Sequence, residues 1–131
     1  MKNKKTFPSQ NHSNKRPENL AFYDVIDRDL ISASMLFRGT VIDLGCGDCP
    51  YREWILNTAS TYIGVDWANT MHDCKADVVA DLNSVIPIAS ESADTVVSIS
   101  VLEHLREPQS MLDESNRILV PGGSVVLQVP F

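Results

Sequence analysis

Apolar residues fall along this chain in two rhythms, and the alternation between them sets the expected fold. Short runs rich in Val, Ile and Leu occupy residues 40–44, 61–67, 77–82, 95–100 and 124–129. Each has strand length, and several are near-continuous rather than alternating, which is how strands covered on both faces read. Between them the spacing becomes helical. Phe22, Ile26, Leu30, Ala33 and Phe37 form one stripe, with Gly39 placed to stop a helix after Arg38. Residues 50–58 read as a short helix carrying Trp54 and Ile55, and Pro108 suits the first turn of a longer one. That helix presents Met111, Leu112, Ser115, Ile118 and Leu119 on one face and stops at Pro121-Gly122-Gly123.

Other stretches carry no such rhythm. Residues 68–76 are short and polar, and residues 83–94 are a turn-rich connection containing Pro87. Residues 1–19 are polar and basic with almost no apolar content, so they read as a flexible tail. The sharper alternative for that tail is a segment that folds over bound substrate. Residues 20–131 then form one domain.

Strands alternating with helices imply an α/β fold with a parallel sheet of about five strands, order 3-2-1-4-5, and helices on both faces. In such a Rossmann-like sheet the ligand crevice lies at the carboxyl ends of the strands, where the order reverses beside strand one. Asp43, Gly45, Gly47, Asp66, Asp81 and Ser98 are all expected at that edge.

Composition narrows the function classes. With 131 residues, 44% of them hydrophobic, the chain can bury one real core. No apolar run approaches the length needed to span a bilayer and no signal-type block opens the sequence, so a cytoplasmic protein without membrane contact is expected. The formal net charge is -6, unevenly spread. Lys2, Lys4, Lys5, Lys15 and Arg16 sit in the first 16 residues with no acid, which leaves an acidic body. Such a body argues against nucleic acid as a partner, because phosphate binding needs clustered Lys and Arg. Cys46, Cys49 and Cys74 are too few for a disulfide framework. Cys46-x-x-Cys49 has redox or metal spacing, but a zinc site needs a second pair that the sequence lacks. No metal is expected, although the three cysteines together leave an adventitious site open; small filler residues are the plainer reading of Cys46 and Cys49.

The stretch Val41-Ile42-Asp43-Leu44-Gly45-Cys46-Gly47-Asp48-Cys49-Pro50 carries the chemistry. An apolar strand runs into a glycine pair and then a helix, the context in which backbone amides meet a nucleotide-type ligand. Asp43 lies within an otherwise apolar run, so its carboxylate needs partners; loop amides and a cationic or amine-bearing ligand are expected. Asp66 follows Gly47 by 19 residues, the separation at which an acid at the tip of the neighbouring strand reaches both hydroxyls of a ribose. Trp67 beside it either stacks on a base or packs.

These residues resemble a class I S-adenosylmethionine-dependent methyltransferase of the small-molecule type. Asp43-Leu44-Gly45-Cys46-Gly47 matches the family's glycine-rich cofactor loop, Val65-Asp66 its ribose-binding acid and Ala80-Asp81-Leu82 its adenine-contacting segment. Asp94-Thr95-Val96-Val97, Val101-Leu102-Glu103-His104-Leu105, Pro108 and Arg117-Ile118-Leu119-Val120-Pro121-Gly122-Gly123 keep the family's order and spacing. The resemblance covers residues 40–131. It implies S-adenosylmethionine as cofactor, held by Asp43, Gly45, Cys46, Gly47, Asp66, Trp67, Asp81, Leu82 and Ser98. Within that set, Gly45 and Gly47 would approach the methionine portion, Asp66 the ribose and Asp81 the adenine amino group. The Leu82 amide would reach a ring nitrogen, and Ser98 would lie near the methionyl end. The reaction implied is methyl transfer to a small-molecule acceptor that the sequence does not identify. His104 is the candidate catalytic base or substrate contact, against a solvated or capping role. Glu103 is expected to hydrogen-bond within the fold.

Two departures stand out. Cys49 replaces the family's third loop glycine, and the sequence stops after the fifth strand of a seven-stranded fold. Strand five would present an apolar edge, so either the sequence is a fragment or a second copy or partner covers that edge. A non-catalytic S-adenosylmethionine- or S-adenosylhomocysteine-binding domain is the main alternative. A nicotinamide dinucleotide domain is disfavoured, because Pro50 stands where that fingerprint wants Gly or Ala and Asp43 would crowd a pyrophosphate.

Overall fold

A computed structural model of the chain describes residues 7–67 and 75–130. Strands β1 (Thr40–Leu44), β2 (Thr61–Asp66), β3 (Val78–Val79), β4 (Ala93–Ile99) and β5 (Leu119–Gln128) form one sheet in the order β3-β2-β1-β4-β5. Every pairing is parallel, as predicted, with Ile42 opposite both Ile63 and Val96 at the centre.

Side chains alternate across the sheet, and two cores result. Val41, Tyr62, Val97 and Ile99 face helix α1 (Leu20–Ser32) together with Phe37 and Ile55. Ile42, Leu44, Val65 and Val96 face Met111 and Ile118 of helix α3 (Pro108–Ile118). Helix α2 is a single turn, Arg52–Ile55, shorter than the predicted 50–58.

The buried stripe of α1 differs from the apolar one read in sequence. Tyr23, Ile26, Asp27 and Leu30 face inward, while Phe22 is 41% exposed and packs edge-on against Tyr23. The helix ends at Ser32; a separate turn, Ser34–Leu36, then delivers Phe37 to the core. The third strand contracts to two residues. Asp77, expected in that strand, instead turns its carboxylate to the Gly64 amide at 2.8 Å and to Arg52 at 2.9 Å. Pro121-Gly122-Gly123 falls inside β5, accommodated by a register shift against Ala93 and Thr95.

The expected tail needs the largest correction. Residues 1–6 lie outside the described residues, but residues 7–19 are folded against α1. The anchor is polar: Ser9 is fully buried, and its amide and hydroxyl donate to the Asp27 carboxylate at 2.7 and 2.8 Å. Lys15 donates to the Ser9 hydroxyl at 2.9 Å and lies 3.7 Å from Asp27. A carboxylate on the inner face of α1 must be satisfied, and this segment satisfies it.

At the other edge, β5 pairs only with β4 among the described residues, and Val125, Leu127 and Val129 are part-exposed beside Phe22, Val25 and Leu36. No helix of the described residues is long and apolar enough to cross a membrane.

Candidate active site

A cleft of about 540 Å³ opens at the carboxyl ends of β1, β2 and β4. Its floor is the turn after β1. Gly45 has φ +85°, and a methyl group there would lie 2.3 Å from a Val101 side-chain carbon, so this position demands glycine on both counts. The amides of Gly45 and Cys46 donate to the Val65 carbonyl at 2.8 and 3.1 Å, leaning the turn onto β2. Gly47, at φ +54°, has open space where a side chain would begin. Its amide donates to one oxygen of Asp66 at 2.6 Å, while the Trp67 amide donates to the other at 2.7 Å.

Asp43 lines the cleft but is almost completely buried. The loop amides expected to serve it go to Val65 instead. Its partner is the Tyr62 hydroxyl, which donates at 2.5 Å. Burial pushes the Asp43 carboxyl up to about 7, and the Tyr62 hydrogen bond only partly opposes that rise.

Across the cleft, Asp81 accepts from the amide and side-chain nitrogen of Asn83 at 2.9 and 3.0 Å, both on one oxygen. The Asn83 bonds hold its carboxyl below the usual range. The second oxygen has no partner among the described residues. Asn83 in turn accepts from the Arg106 and Glu107 amides, fixing this loop to the start of α3. Leu82 and the half-exposed Trp67 line the same side.

Two predicted residues sit differently. Ser98 is buried beneath the cleft, and its hydroxyl donates to the Leu44 carbonyl at 2.8 Å. It belongs to the strand's interior, since β4 runs on to Ile99, and Ser100 is the serine that reaches the cleft. His104 stands at the rim on a 3-10 turn, Leu102–His104, exposed and 3.7 Å from Glu103.

The opposite wall comes from the segment read first as a flexible tail, with folding over substrate only as the alternative. His12, Ser13 and Asn14 of the N-terminal segment, with Tyr23 and Tyr51, close that side. The His12 ring packs on Tyr23 and Tyr51 at centroid distances of 4.7 and 5.7 Å. The Asn14 amide donates to His12 Nδ1 at 3.2 Å, and the Tyr23 hydroxyl lies 3.2 Å from the same nitrogen. Asp27, an acid on the inner face of α1, was the sequence signal that a polar segment had to cover this helix.

Among the described residues no group of three His, Cys, Asp or Glu could hold a metal ion. Cys46 and Cys49 are free thiols, and Cys74 of the adventitious trio lies outside the described residues.

An open parallel α/β sheet, with a glycine turn and strand-end carboxylates at the point where its order reverses, defines a nucleotide-cofactor-binding class of protein. The methyltransferase domain family matches residues 42–127, and the chain belongs to that family. A ubiquinone biosynthesis O-methyltransferase of Cereibacter sphaeroides is 29% identical over 111 residues, covering 76% of this chain and 44% of the relative. Among solved structures, an S-adenosylmethionine-dependent methyltransferase from Mesorhizobium loti superposes with a TM-score of 0.59 at 22% identity, over 76% of this chain and 52% of that one. A chain from the complex between the Haloferax volcanii Trm112 methyltransferase activator and a methyltransferase gives 0.58 at 24% identity, over 82% and 55%. The chain thus spans less than half the length of the curated relatives it matches and about half that of the solved chains.

Proposed function

We propose that the cleft binds S-adenosylmethionine and that the protein transfers its methyl group to a small-molecule acceptor. The observation that carries this reading is Asp66: its carboxylate stands at the end of β2, pinned by the Gly47 and Trp67 amides, and opens into the cleft. Each of its oxygens keeps a lone pair for a ribose hydroxyl.

The residues present fit this cofactor. The uncommitted oxygen of Asp81 suits an adenine amino group, the exposed face of Trp67 suits a base or ribose, and the space over Gly47 admits a methionyl chain. Asp43, Gly45, Cys46 and Leu82 complete the cofactor side. Ser98 acts from beneath by holding the Leu44 carbonyl, the last of β1 before the turn. Residues 20–131 are accordingly assigned as the cofactor-binding domain, with residues 7–19 as part of its acceptor wall.

When bound, this cofactor supplies a methyl group already activated on a sulfonium sulfur. The chain's own task is then alignment and exclusion of water. His12, Tyr23 and Tyr51 offer ring faces to an acceptor. A proton on the attacking atom would pass to His104 at the rim.

Calorimetric titration of the purified protein with S-adenosylmethionine and S-adenosylhomocysteine tests the assignment. Micromolar binding that disappears in Asp66→Ala is expected; no binding by the folded wild-type chain would overturn it. Binding without turnover of any hydroxyl, amine or thiol acceptor would leave the non-catalytic domain in its place.

A further inference from the structure

Cys46 and Cys49 meet in the turn between β1 and α2. The Cys49 amide donates to the Cys46 carbonyl at 2.8 Å, closing a four-residue turn. Such a turn holds its end Cα atoms within about 7 Å, a range that overlaps the roughly 4.4–6.8 Å a disulfide accepts. The sulfurs converge as well. A methyl group placed on Gly64 of β2 would lie 2.8 Å from Cys46 Sγ and 3.0 Å from Cys49 Sγ. Both thiols therefore crowd over the one residue of that strand that has no side chain.

Their surroundings are not those of inert filler. Arg52 Nη2 lies 3.6 Å from Cys49 Sγ, and its guanidinium stacks over the Tyr62 ring at 4.9 Å and pairs with Asp77 at 2.9 Å. On the same guanidinium, Nε is buried without a hydrogen-bond partner among the described residues, a donor left over beside the sulfur. Cys49 is part-exposed and holds φ +56°, a left-handed conformation that a non-glycine residue adopts at a cost.

We propose that Cys49 is an oxidative modification site: hydroperoxides oxidise it, and Cys46 resolves the product into a disulfide within the turn. In the first step the Cys49 thiolate attacks one peroxide oxygen, so that an S–O bond forms and the O–O bond breaks. The departing hydroxide, or alkoxide from an organic hydroperoxide, takes up the proton that the Cys49 thiol gave to solvent on ionising, leaving a sulfenic acid. In the second step the Cys46 sulfur attacks Cys49 Sγ; the S–S bond forms, the S–O bond breaks, and hydroxide leaves with the Cys46 proton as water. Two thiols lose two electrons and the peroxide is reduced to water.

The division of roles follows from the charges. The hydrogen bond from Cys46, helped by the Arg52 guanidinium, pulls the Cys49 thiol down to about 6. Cys46 is pushed up, first by that same bond and then by burial, so it keeps its proton. The Arg52 guanidinium, with Nη2 3.6 Å from Cys49 Sγ, stands beside the oxygen that Cys49 acquires. The proposal stands on the sulfur pair and is independent of which ligand the cleft takes.

Both cysteines fall in one tryptic fragment, residues 39–52, whereas Cys74 falls in residues 53–75. The test treats the full, reduced chain with equimolar hydrogen peroxide, blocks remaining thiols with iodoacetamide, and reads the fragments by mass spectrometry. The expected result is a 39–52 fragment lighter by two hydrogens and unalkylated, beside an alkylated Cys74. Alkylation of both Cys46 and Cys49, or loss of the Cys74 thiol ahead of them, would overturn the proposal. Cys46→Ser should stop at a sulfenic acid on residue 49 that dimedone captures; absence of the adduct in folded variant counts against the mechanism. Arg52→Met should slow oxidation about tenfold near neutral pH, and an unchanged rate would remove Arg52 from the site. If either variant fails to fold, the wild-type fragment map alone decides.

Discussion

The Gly47 amide donates to Asp66 at 2.6 Å, so the turn after β1 and the tip of β2 are held as one unit. The same carboxylate thus shapes the cleft and is offered to the ligand. Asp66→Asn keeps the volume and one acceptor oxygen but cannot accept on both sides. Affinity for S-adenosylhomocysteine should fall at least about tenfold, in keeping with the ~1.5–3 kcal/mol of a charge-assisted hydrogen bond. Titration calorimetry on a variant with wild-type circular dichroism checks this; unchanged affinity would detach Asp66 from the ligand.

The two loop glycines should separate stability from binding. Gly45→Ala forces a methyl against Val101 at a backbone angle of +85°, and it should destabilise by about 2–3 kcal/mol. Gly47→Ala meets open space at +54°, so strain of about 1 kcal/mol is all the fold should lose. Its new methyl points where the ligand is proposed to lie, and binding should suffer instead. Urea unfolding alongside calorimetry distinguishes the two; equal stability losses would contradict this assignment of space.

Much of this architecture was legible because four strands are nearly pure apolar runs that only a two-sided sheet can bury. Val41, Ile42, Val96 and Val97 leave little choice, and the glycine turn and Asp66 follow from strand one and strand two. The features that escaped are held by polar atoms. Tyr23 and Asp27 were left out of the α1 stripe because an apolar count passes over them, yet they are the residues that bring His12 and Ser9 into place. Ser98 lies within β4 and Ser100 just past its end, and where the sheet lets go of the chain is set by pairing with β5, which ends at Gln128 opposite Ile99. β3 shrank because Asp77 serves Gly64 and Arg52 rather than a strand.

The N-terminal segment should come loose when its buried carboxylate is removed. Asp27→Ala leaves the Ser9 amide and hydroxyl and the Lys15 ammonium without their acceptor. A loss of about 2–3 kcal/mol follows from stranding such donors. Limited trypsin digestion should then cut after Lys15 several-fold faster than in the wild-type protein. Equal cleavage rates would mean that the segment is held by something other than this pair.

Asp43 makes a prediction about pH. Its carboxyl titrates near 7 in the folded protein against 3.8 when unperturbed, so between those values the folded state binds the extra proton. Stability should therefore fall as pH rises from about 4 to 7, the reverse of an ion-paired acid, and the cost should be fully present above 7. Asp43→Asn keeps an acceptor for the Tyr62 hydroxyl and carries no charge to bury. The variant should gain about 2 kcal/mol over wild type at pH 8 and less than half of that at pH 5, within the ~1.4 kcal/mol per unit that such a shift allows. Urea unfolding at the two pH values checks it. A variant less stable than wild type by the same amount at both would show that Asp43 is held ionised by a partner, and the burial argument would fail.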